Sequence, residues 1–403
     1  MKRFNYEAKD TSTGKRVKSV VQAESEQAAA KVLLAQGFAP LNITEEGGGY
    51  SLLARFTNRI TVKDKIVFSR QLATLIGAGL PLAQSMRTIA DQTENKRFKA
   101  VVEEILADVE AGKTLSDSFA KYPEQFDKVF LSLIKAGEAS GTLDDALKRI
   151  ANQQEKDAAM MSKIKGALTY PVIVLVVIFG VMAFMMFTVV PQVEKLYEDL
   201  GKELPFLTAA MVGAANFLTS FWWLVALIMG AAIYFLLQYF KTDDGIRVKD
   251  TFKLNVPLFG VMFRKLYMAR FSRTAQTLLN TGVPMLDMLK ITSDAVNNVL
   301  VGEGITRAAD KVKGGKALSD SLQNEEYMLK LVPQMIKIGE QSGKVDEMLG
   351  RAAQVYEDEL DEQIKAISTA IEPILMVVLA IVAGGMVGAI LFPIYSLVNG
   401  VNV

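Results

Sequence analysis

The chain has 403 residues, half of them hydrophobic, and its 45 Lys and Arg nearly balance 44 Asp and Glu. A net charge of +1 excludes the strongly basic surface that nucleic-acid binding requires, so we expect no nucleic-acid partner. The absence of Cys and His excludes disulfides, thiolate or imidazole metal sites, Cys nucleophiles and His general bases. We therefore predict no catalytic residue, no cofactor and no metal site.

The first predicted unit, residues 1–46, is a small α+β unit. Its opening residues lack the apolar run of a cleavable signal peptide. FNYEA and VKSVVQA have the composition of two short strands, SEQAAAKVLLAQG of a helix that ends at Gly37, and FAPLNITE of a third strand. A linker at 47–60 contains the flexible sequence GGGYS.

Two segments of about a hundred residues repeat each other, which predicts a duplicated domain. FSRQLATLIGAGLPL, from Phe68, aligns with FSRTAQTLLNTGVPM, from Phe271, and the same shift of 203 aligns GKTLSDS with GKALSDS. A shift of 202 aligns KAGEASGTLDDAL, from Lys135, with KIGEQSGKVDEML, from Lys337. We place copy 1 at 61–167 and copy 2 at 241–371.

Each copy is predicted to be a bundle of five or six helices joined by tight turns. Thr61 and Asp64 have capping-box spacing at the start of the first helix, and Gly77 and Gly79 end it. The last helix of copy 1 is expected to begin near Thr142, with Asp145 at the third position of its cap.

Three apolar segments predict membrane spans at 168–190, 217–240 and 372–397. The first has 23 residues without Asp, Glu, Lys or Arg and ends at Pro191; it would extend ~34 Å, enough to cross a bilayer. Trp222 and Trp223 at one end of the second span, and Tyr234 and Tyr239 at the other, suggest interfacial aromatic belts. The predicted fold is thus mainly α: a duplicated helical bundle, three transmembrane helices and the small α+β unit.

The positions of Lys and Arg predict the orientation. Five cationic residues precede the first span and four follow the second, whereas the connecting loop at 191–216 has two, outnumbered by acidic residues. Because cationic segments resist translocation, we expect a cytoplasmic N-terminus, an external loop and an external tail at 398–403. The chain would be a multi-pass protein of the cytoplasmic membrane.

The repeated GExSG turn is the most informative polar motif. Glu138 and Glu340 stand beside a glycine and just before a helix, where a carboxylate can accept free backbone N–H groups. Alternatively the turn is an exposed partner contact, made by Glu138, Ser140, Gly141, Asp144, Glu340, Ser342, Gly343 and Asp346. A third possibility is a divalent-cation site of Glu138 with Asp144 or Asp145. The nearby GKT sequence lacks the glycine spacing of a phosphate-binding loop.

Two further groups of residues are candidates for contacts. A basic run could bind anionic lipid headgroups or the acidic face of a partner; it consists of Arg264, Lys265, Arg270 and Arg273. In the third span Gly384, Gly385 and Gly388 allow close helix packing, within one chain or between chains.

The order of these motifs resembles the inner-membrane platform family of type IV pilus and type II secretion machines, more closely its pilus branch. The resemblance covers the whole chain: the short N-terminal unit, the duplicated FSR, GK-LSDS and GExSG motifs, and the three spans. It implies a non-enzymatic scaffold in a bacterial inner membrane. Its expected partners are a cytoplasmic hexameric ATPase, pilin or pseudopilin subunits, other membrane assembly proteins, lipid and further copies of the chain.

The alternative function is a transporter or channel built from the duplicated domain. Ionisable residues inside spans mark ion and substrate pathways, and the interiors of the three predicted spans contain none. Glu372 stands only at the start of the third span, and three spans do not divide between two repeats. The platform interpretation is therefore favoured.

Overall fold

The structure is a computed structural model that describes residues 2–10, 16–23, 26–35, 37–45, 59–199, 201 and 206–399. The predicted linker at 47–60 lies almost entirely outside these residues, as does the end of the predicted tail. The domain boundaries proposed from the sequence remain predictions.

The N-terminal unit is a three-stranded antiparallel sheet with one helix. The strands are β1 (Lys2–Asp10), β2 (Arg16–Ala23) and β3 (Phe38–Glu45), in the order β2-β1-β3, and α1 (Glu26–Ala35) lies between β2 and β3 in the chain. Ala29 of α1 is fully buried and packs against Ala23 of β2. The predicted α+β unit is therefore present.

Copy 1 has six helices. They are α2 (Val62–Gly77), α3 (Leu82–Gln92), α4 (Lys96–Glu110), α5 (Leu115–Ala120), α6 (Lys128–Ser140) and α7 (Leu143–Phe184). Thr61 and Asp64 form the predicted capping box at the start of α2: each backbone N–H donates to the other side chain, at 2.8 and 3.2 Å. α7 begins where predicted, but Thr142 makes no side-chain cap hydrogen bond.

The connecting region is helical. A π-helical turn (Met185–Val189) continues α7 into α8 (Val190–Asp199), and α9 (Phe206–Ser220), α10 (Trp222–Tyr239) and α11 (Asp243–Asn255) follow. The helix continues past Pro191, where the predicted first span ends, and the π-helical turn lies directly before this proline. The predicted loop at 191–216 is largely helical too: Val190 packs against Val212 of α9.

Copy 2 repeats these six helices in the same order from Phe259 onwards, and α11 is an additional helix within its predicted range of 241–371. They are α12 (Phe259–Leu279), α13 (Met285–Ala295), α14 (Val299–Lys313), α15 (Leu318–Leu322), α16 (Leu331–Ser342) and α17 (Val345–Asn399). Three helices, within Leu143–Asp199, Trp222–Tyr239 and Val345–Gly388, are long and apolar enough to cross a membrane. The second of these helices is shorter than the predicted span at 217–240, because helical structure is interrupted at Phe221 and resumes at Trp222.

The last helices of the two copies, α7 and α17, pack against each other and run parallel. Lys156 of α7 lies 2.8 Å from Glu357 of α17, and one to two turns further along both helices Lys163 lies 2.5 Å from Asp361. Since contacts advance in the same direction on both helices, the apolar ends of α7 and α17 point the same way. Both copies therefore lie on the same side of the predicted membrane spans.

Candidate functional site

The GExSG turn and the GK-LSDS turn of each copy form one structural unit. In copy 1 the carboxylate of Glu138 accepts the backbone N–H groups of Leu115 and Ser116, at 2.5 and 2.9 Å. In copy 2 Glu340 accepts the N–H of Leu318 at 2.7 Å and the hydroxyl of Ser319 at 2.5 Å. Each carboxylate thus satisfies the free N–H groups at the start of a short helix, α5 or α15.

Both glycines of this turn are required by the geometry. Gly141 and Gly343 end α6 and α16 in the left-handed region, with φ of 73° and 71°. At Gly137 and Gly339 a Cβ would lie 2.7 and 2.6 Å from atoms of the following helix. The motif therefore allows the helix before the turn to approach the helix after it closely.

These contacts bear on the three interpretations of Glu138. The capping interpretation fits, although the capped helix is α5, more than twenty residues earlier in the chain, and not α7 directly after the turn. The cation interpretation loses support, because both oxygens of Glu138 already accept backbone N–H groups. The partner contact stays a prediction for the exposed part of the turn, which includes Ser140 and Gly141 in copy 1 and Ser342 and Gly343 in copy 2.

The basic run is engaged within the chain. Lys265 lies 3.0 Å from Glu359, Arg273 lies 2.8 Å from Glu357, and the Arg264 guanidinium lies 5.7 Å from the ring centre of Tyr327. These internal contacts leave the run with few free donors, so its prediction as a lipid or docking patch has little support.

One repeated ion pair was not found from the sequence. Arg70 of α2 binds Glu155 of α7 through two hydrogen bonds, of 2.8 and 2.5 Å, and Arg273 with Glu357 is the equivalent pair in copy 2. The sequence did contain a signal for this pair, because Glu155 and Glu357 align at the shift of 202. Burial alone would raise the pKa of Glu357, but hydrogen bonds from Arg273 and Lys156 outweigh it and lower that pKa below its ordinary value.

The two copies enclose a cavity of about 510 Å³ that is lined by both polar and apolar side chains. Three contacts between the copies lie at this cavity: Lys128 Nζ to Asp294 Oδ2 at 2.5 Å, Gln153 Nε2 to Thr274 Oγ1 at 3.3 Å, and Arg270 Nε to Asp157 Oδ1 at 4.0 Å. The pairs Lys156–Glu357 and Lys163–Asp361 join the copies further along α7 and α17. Asp157 lines the cavity. Burial there raises its pKa to about 6, although Arg270 opposes the shift.

The predicted glycine seam of the third span is open in the single chain. A Cβ at Gly384, Gly385 or Gly388 would meet nothing within 4 Å. Packing at these glycines therefore remains a prediction, and it requires a partner other than the described residues of this chain.

The fold and its contacts define a membrane-anchored scaffold with two equivalent helical bundles. Among the described residues no group of three or more Asp and Glu is positioned to hold a metal ion. The polar motifs that the two copies share, the carboxylate cap and the Arg–Glu pair, act as structural contacts within each bundle.

Comparisons with known proteins identify the family. The family described as type II secretion system (T2SS), protein F matches residues 68–191 and 271–393, and its N-terminal domain family matches residues 1–44. The type IV pilus assembly proteins PilC of Thermus thermophilus and Myxococcus xanthus are both 35% identical to this chain, of which they cover 99%; the chain covers 99% and 96% of them. The type II secretion system protein F of Vibrio cholerae is 31% identical, with 99% of each chain covered.

The chain belongs to the T2SS protein F family, which includes the type IV pilus PilC proteins. It is a non-enzymatic platform protein of this class. The predicted family, the mainly helical duplicated fold and the platform class are confirmed by these matches.

Proposed function

We propose that this chain is the inner-membrane platform of a type IV pilus assembly machine and couples a cytoplasmic hexameric ATPase to the insertion or extraction of pilin subunits. The identities reported above, 35% with the two pilus proteins and 31% with the secretion protein, support the pilus branch. A secretion machine with pseudopilins as cargo is the second form of the proposal.

The continuity of α7 and α17 is the observation that carries this proposal. α7 has 42 residues and α17 has 55, so they extend about 63 and 82 Å, from a helical bundle into an apolar segment. Because the two helices are parallel and joined by ion pairs, a displacement of the bundles would move both predicted spans together. Such a device suits a protein that transmits force generated by another.

Orientation is part of the proposal: both copies and the N-terminus are cytoplasmic, and the α8–α9 region is external. The excess of Lys and Arg around the first and second spans supports it. Because the chain lacks Cys, single cysteines can be placed at the exposed residues Asp199 and Asp244 and labelled with an impermeant thiol reagent. Labelling in spheroplasts should modify position 199 and leave position 244 unmodified; the reverse result would overturn the orientation.

The exposed GExSG turns are the proposed ATPase contacts. Glu138 and Glu340 are poor probes because their replacement would remove a helix cap. Asp144 is a better one: 40% of its side chain is exposed, and its counterpart in copy 2 is Asp346. We expect Asp144→Lys or Asp346→Lys to reduce ATPase capture at least several-fold while lowering the melting temperature only slightly, because each aspartate also stands in the first turn of a helix.

The matched control is Asp310→Lys on the exposed side of α14. Comparing Asp144→Lys with Asp346→Lys identifies which copy contacts the ATPase. Capture by both variants at the level of the control would exclude these turns as the contact. The platform function itself would fail if cells without the chain assembled filaments at normal levels.

A further inference from the structure

A second cavity lies between α7 of copy 1 and α12 of copy 2. It has a volume of about 460 Å³, within the range of small-molecule binding sites. Nine of its ten lining residues are polar or charged, although their carbon atoms form much of its surface. Three residues of each copy bring nitrogen donors to it: Arg149, Asn152 and Lys156 on α7, and Arg273, Gln276 and Asn280 on α12. Both copies therefore contribute donors to one cavity.

Several of these donors have no acceptor among the described residues. Arg273 uses Nε and Nη1 for hydrogen bonds, but its buried Nη2 makes none, and a buried donor without an acceptor costs free energy. The guanidinium of Arg149 and the side-chain amide of Asn280 have no hydrogen-bond or ion-pair partner in the described part of the chain. A single buried acceptor at the cavity, Gln153 Oε1, is also unpartnered within that part. The cavity therefore offers more free donors than free acceptors, which favours a ligand that accepts hydrogen bonds.

Positive charge exceeds negative charge at this cavity. The lining residues and their direct ion-pair partners include two carboxylates and four cations. The carboxylates are Glu155 and Glu357, and the cations are Arg70, Arg149, Lys156 and Arg273. Each carboxylate already accepts hydrogen bonds from one or two of these cations, which leaves a surplus of two positive charges. This surplus suits a phosphate group, which carries about −1.5 to −2 charges at pH 7.

The equivalent positions of the other copy do not repeat this surplus. Asp358 of α17 stands where Lys156 stands in α7, and Gly77 of α2 stands where Asn280 stands in α12. The same positions thus have a carboxylate in place of a cation, and no side chain in place of an amide. The donor-rich cavity is therefore particular to the junction of α7 with α12.

We propose that this cavity binds a small phosphate-bearing molecule, whose phosphate group bridges the two copies. The phosphate oxygens accept charge-assisted hydrogen bonds from the guanidinium of Arg149 on α7 and from Nη2 of Arg273 on α12. The amide nitrogens of Asn152 and Asn280 are free to bind the rest of the molecule. Inorganic phosphate and a phosphate ester share this chemistry. A bound molecule holds α7 against copy 2 and resists their separation.

Calorimetric titration of the purified full chain in non-ionic detergent tests the site. The probes are inorganic phosphate and glucose 6-phosphate in a phosphate-free buffer, and glucose is the control without a phosphate group. We expect one phosphate-bearing probe to bind per chain and glucose not to bind. Tighter binding of glucose 6-phosphate would identify an ester as the ligand, and equal or weaker binding would identify inorganic phosphate. Absence of binding by both phosphate probes at millimolar concentrations would overturn the proposal.

Two arginines at equivalent positions provide a matched pair of variants. Arg149→Gln should weaken binding at least tenfold, and Arg149→Lys should weaken it less, because it keeps the charge and loses the planar set of donors. The control is Arg351→Gln in α17, where the side chain is 66% exposed and binds Glu347; it should bind the probe like the wild type. Arg149→Gln should also melt at the wild-type temperature without the probe, so that lost binding is not lost folding. Equal binding by Arg149→Gln and Arg351→Gln would place the ligand elsewhere and overturn the proposal.

Hydrogen exchange tests whether the ligand bridges the copies. Saturation with the tighter probe should slow exchange several-fold in α7 near 149–156 and in α12 near 273–280, and should leave α17 near 351–358 unchanged. Slower exchange in only one of the two copies would contradict the bridge. These assays require neither ATPase nor filaments, so their failure would leave the platform function intact, and loss of filaments in a chain that still binds phosphate would count against the function alone.

Discussion

Copy 1 and copy 2 share their turns and differ in what fills their cores. In copy 1 three phenylalanines pack together, with ring centres 4.5 Å apart for Phe119 and Phe126, and 4.9 Å for Phe119 and Phe130. The residues at the equivalent positions of copy 2 are Leu322, Met328 and Val332. A cluster of aromatic side chains in copy 1 and aliphatic side chains at the same three positions of copy 2 thus support the same six helices.

The residues kept in both copies are those that the backbone requires. The left-handed glycines Gly141 and Gly343, the capping carboxylates and the Arg–Glu pairs fix where helices end and how closely they approach. A core side chain can be replaced when neighbouring side chains compensate for the change in volume. A turn with positive φ favours glycine, however, and a free helix terminus needs a group that accepts its N–H groups. The comparison predicts that the shared positions are the sensitive ones in both copies.

The largest effect is expected where α6 meets α7 and where α16 meets α17. A Cβ at Gly339 would lie 2.6 Å from the Cα of Val345, and one at Gly137 would lie 2.7 Å from the Cβ of Ala146. Because these atoms belong to the helix backbones or are attached directly to them, Gly339→Ala and Gly137→Ala should each cost about 2–3 kcal/mol. Gly166→Ala, with nothing within 4 Å, is the control.

Thermal unfolding of the detergent-solubilised chain measures this effect. Both interface variants should melt well below the wild type, whereas Gly166→Ala should melt at or above it, because Ala favours a helix over Gly. If Gly339→Ala melted at the wild-type temperature, α16 would be able to move away from α17 without loss of stability.

The sequence predicted the fold well because its signals are local or repeated. Strand and helix patterns, long apolar segments and the two offsets are visible without any tertiary contact. The capping box of Thr61 with Asp64 was predicted correctly for the same reason, since its partners are three residues apart.

The site was predicted less well because its contacts join distant residues. Nothing near Glu138 in the chain indicates that it caps α5, and only packing brings the two together. The basic run looked available because the acidic partners of Lys265 and Arg273 lie more than eighty residues away. The helical region after Pro191 was missed because proline normally ends a helix, whereas here a π-helical turn precedes it.

The two carboxylate caps should differ in importance. In copy 1 the side chain of Thr114 also caps α5, by accepting the N–H of Asp117 at 3.1 Å, but Ala317 at the equivalent position of copy 2 has no such group. Glu340→Gln should therefore cost about 2 kcal/mol, and Glu138→Gln about 1 kcal/mol.

Hydrogen exchange followed by mass spectrometry resolves the two copies in one chain. Glu340→Gln should speed exchange in α15 more than Glu138→Gln does in α5. Equal acceleration would mean that the hydroxyl of Thr114 contributes nothing beyond the carboxylate.

Restoring the missing cap should make copy 2 resemble copy 1. Ala317 has φ of −57° and ψ of 143°, close to the −65° and 150° of Thr114, so a threonine fits there without backbone change. We expect Ala317→Thr to stabilise α15 by about 1 kcal/mol and Thr114→Ala to destabilise α5 by a similar amount. Slower exchange in α15 of Ala317→Thr confirms the expectation, and unchanged exchange would contradict it.

The smallest effect concerns Asp157, a carboxylate of copy 1 that lines the cavity between the copies. Asp157 has Arg270 at 4.0 Å, with Asp127 and Glu357 adding negative charge nearby, whereas its counterpart Glu359 binds Lys265 at 3.0 Å. Because the folded pKa of Asp157, about 6, lies above its ordinary value of 3.8, its contribution to stability is full below pH 4 and is lost as pH rises through 6. Asp157→Asn lacks this loss, so above pH 6 it should be more stable than the wild type by about 0.5–1 kcal/mol, an amount reduced by the water that reaches the cavity.

Melting of both proteins from pH 4 to pH 8 measures the difference in stability, which should grow with pH and level off above 6. Glu359→Gln should instead lower stability, since it breaks an ion pair, and a gain from it equal to that of Asp157→Asn would mean that the two carboxylates have the same role in their copies.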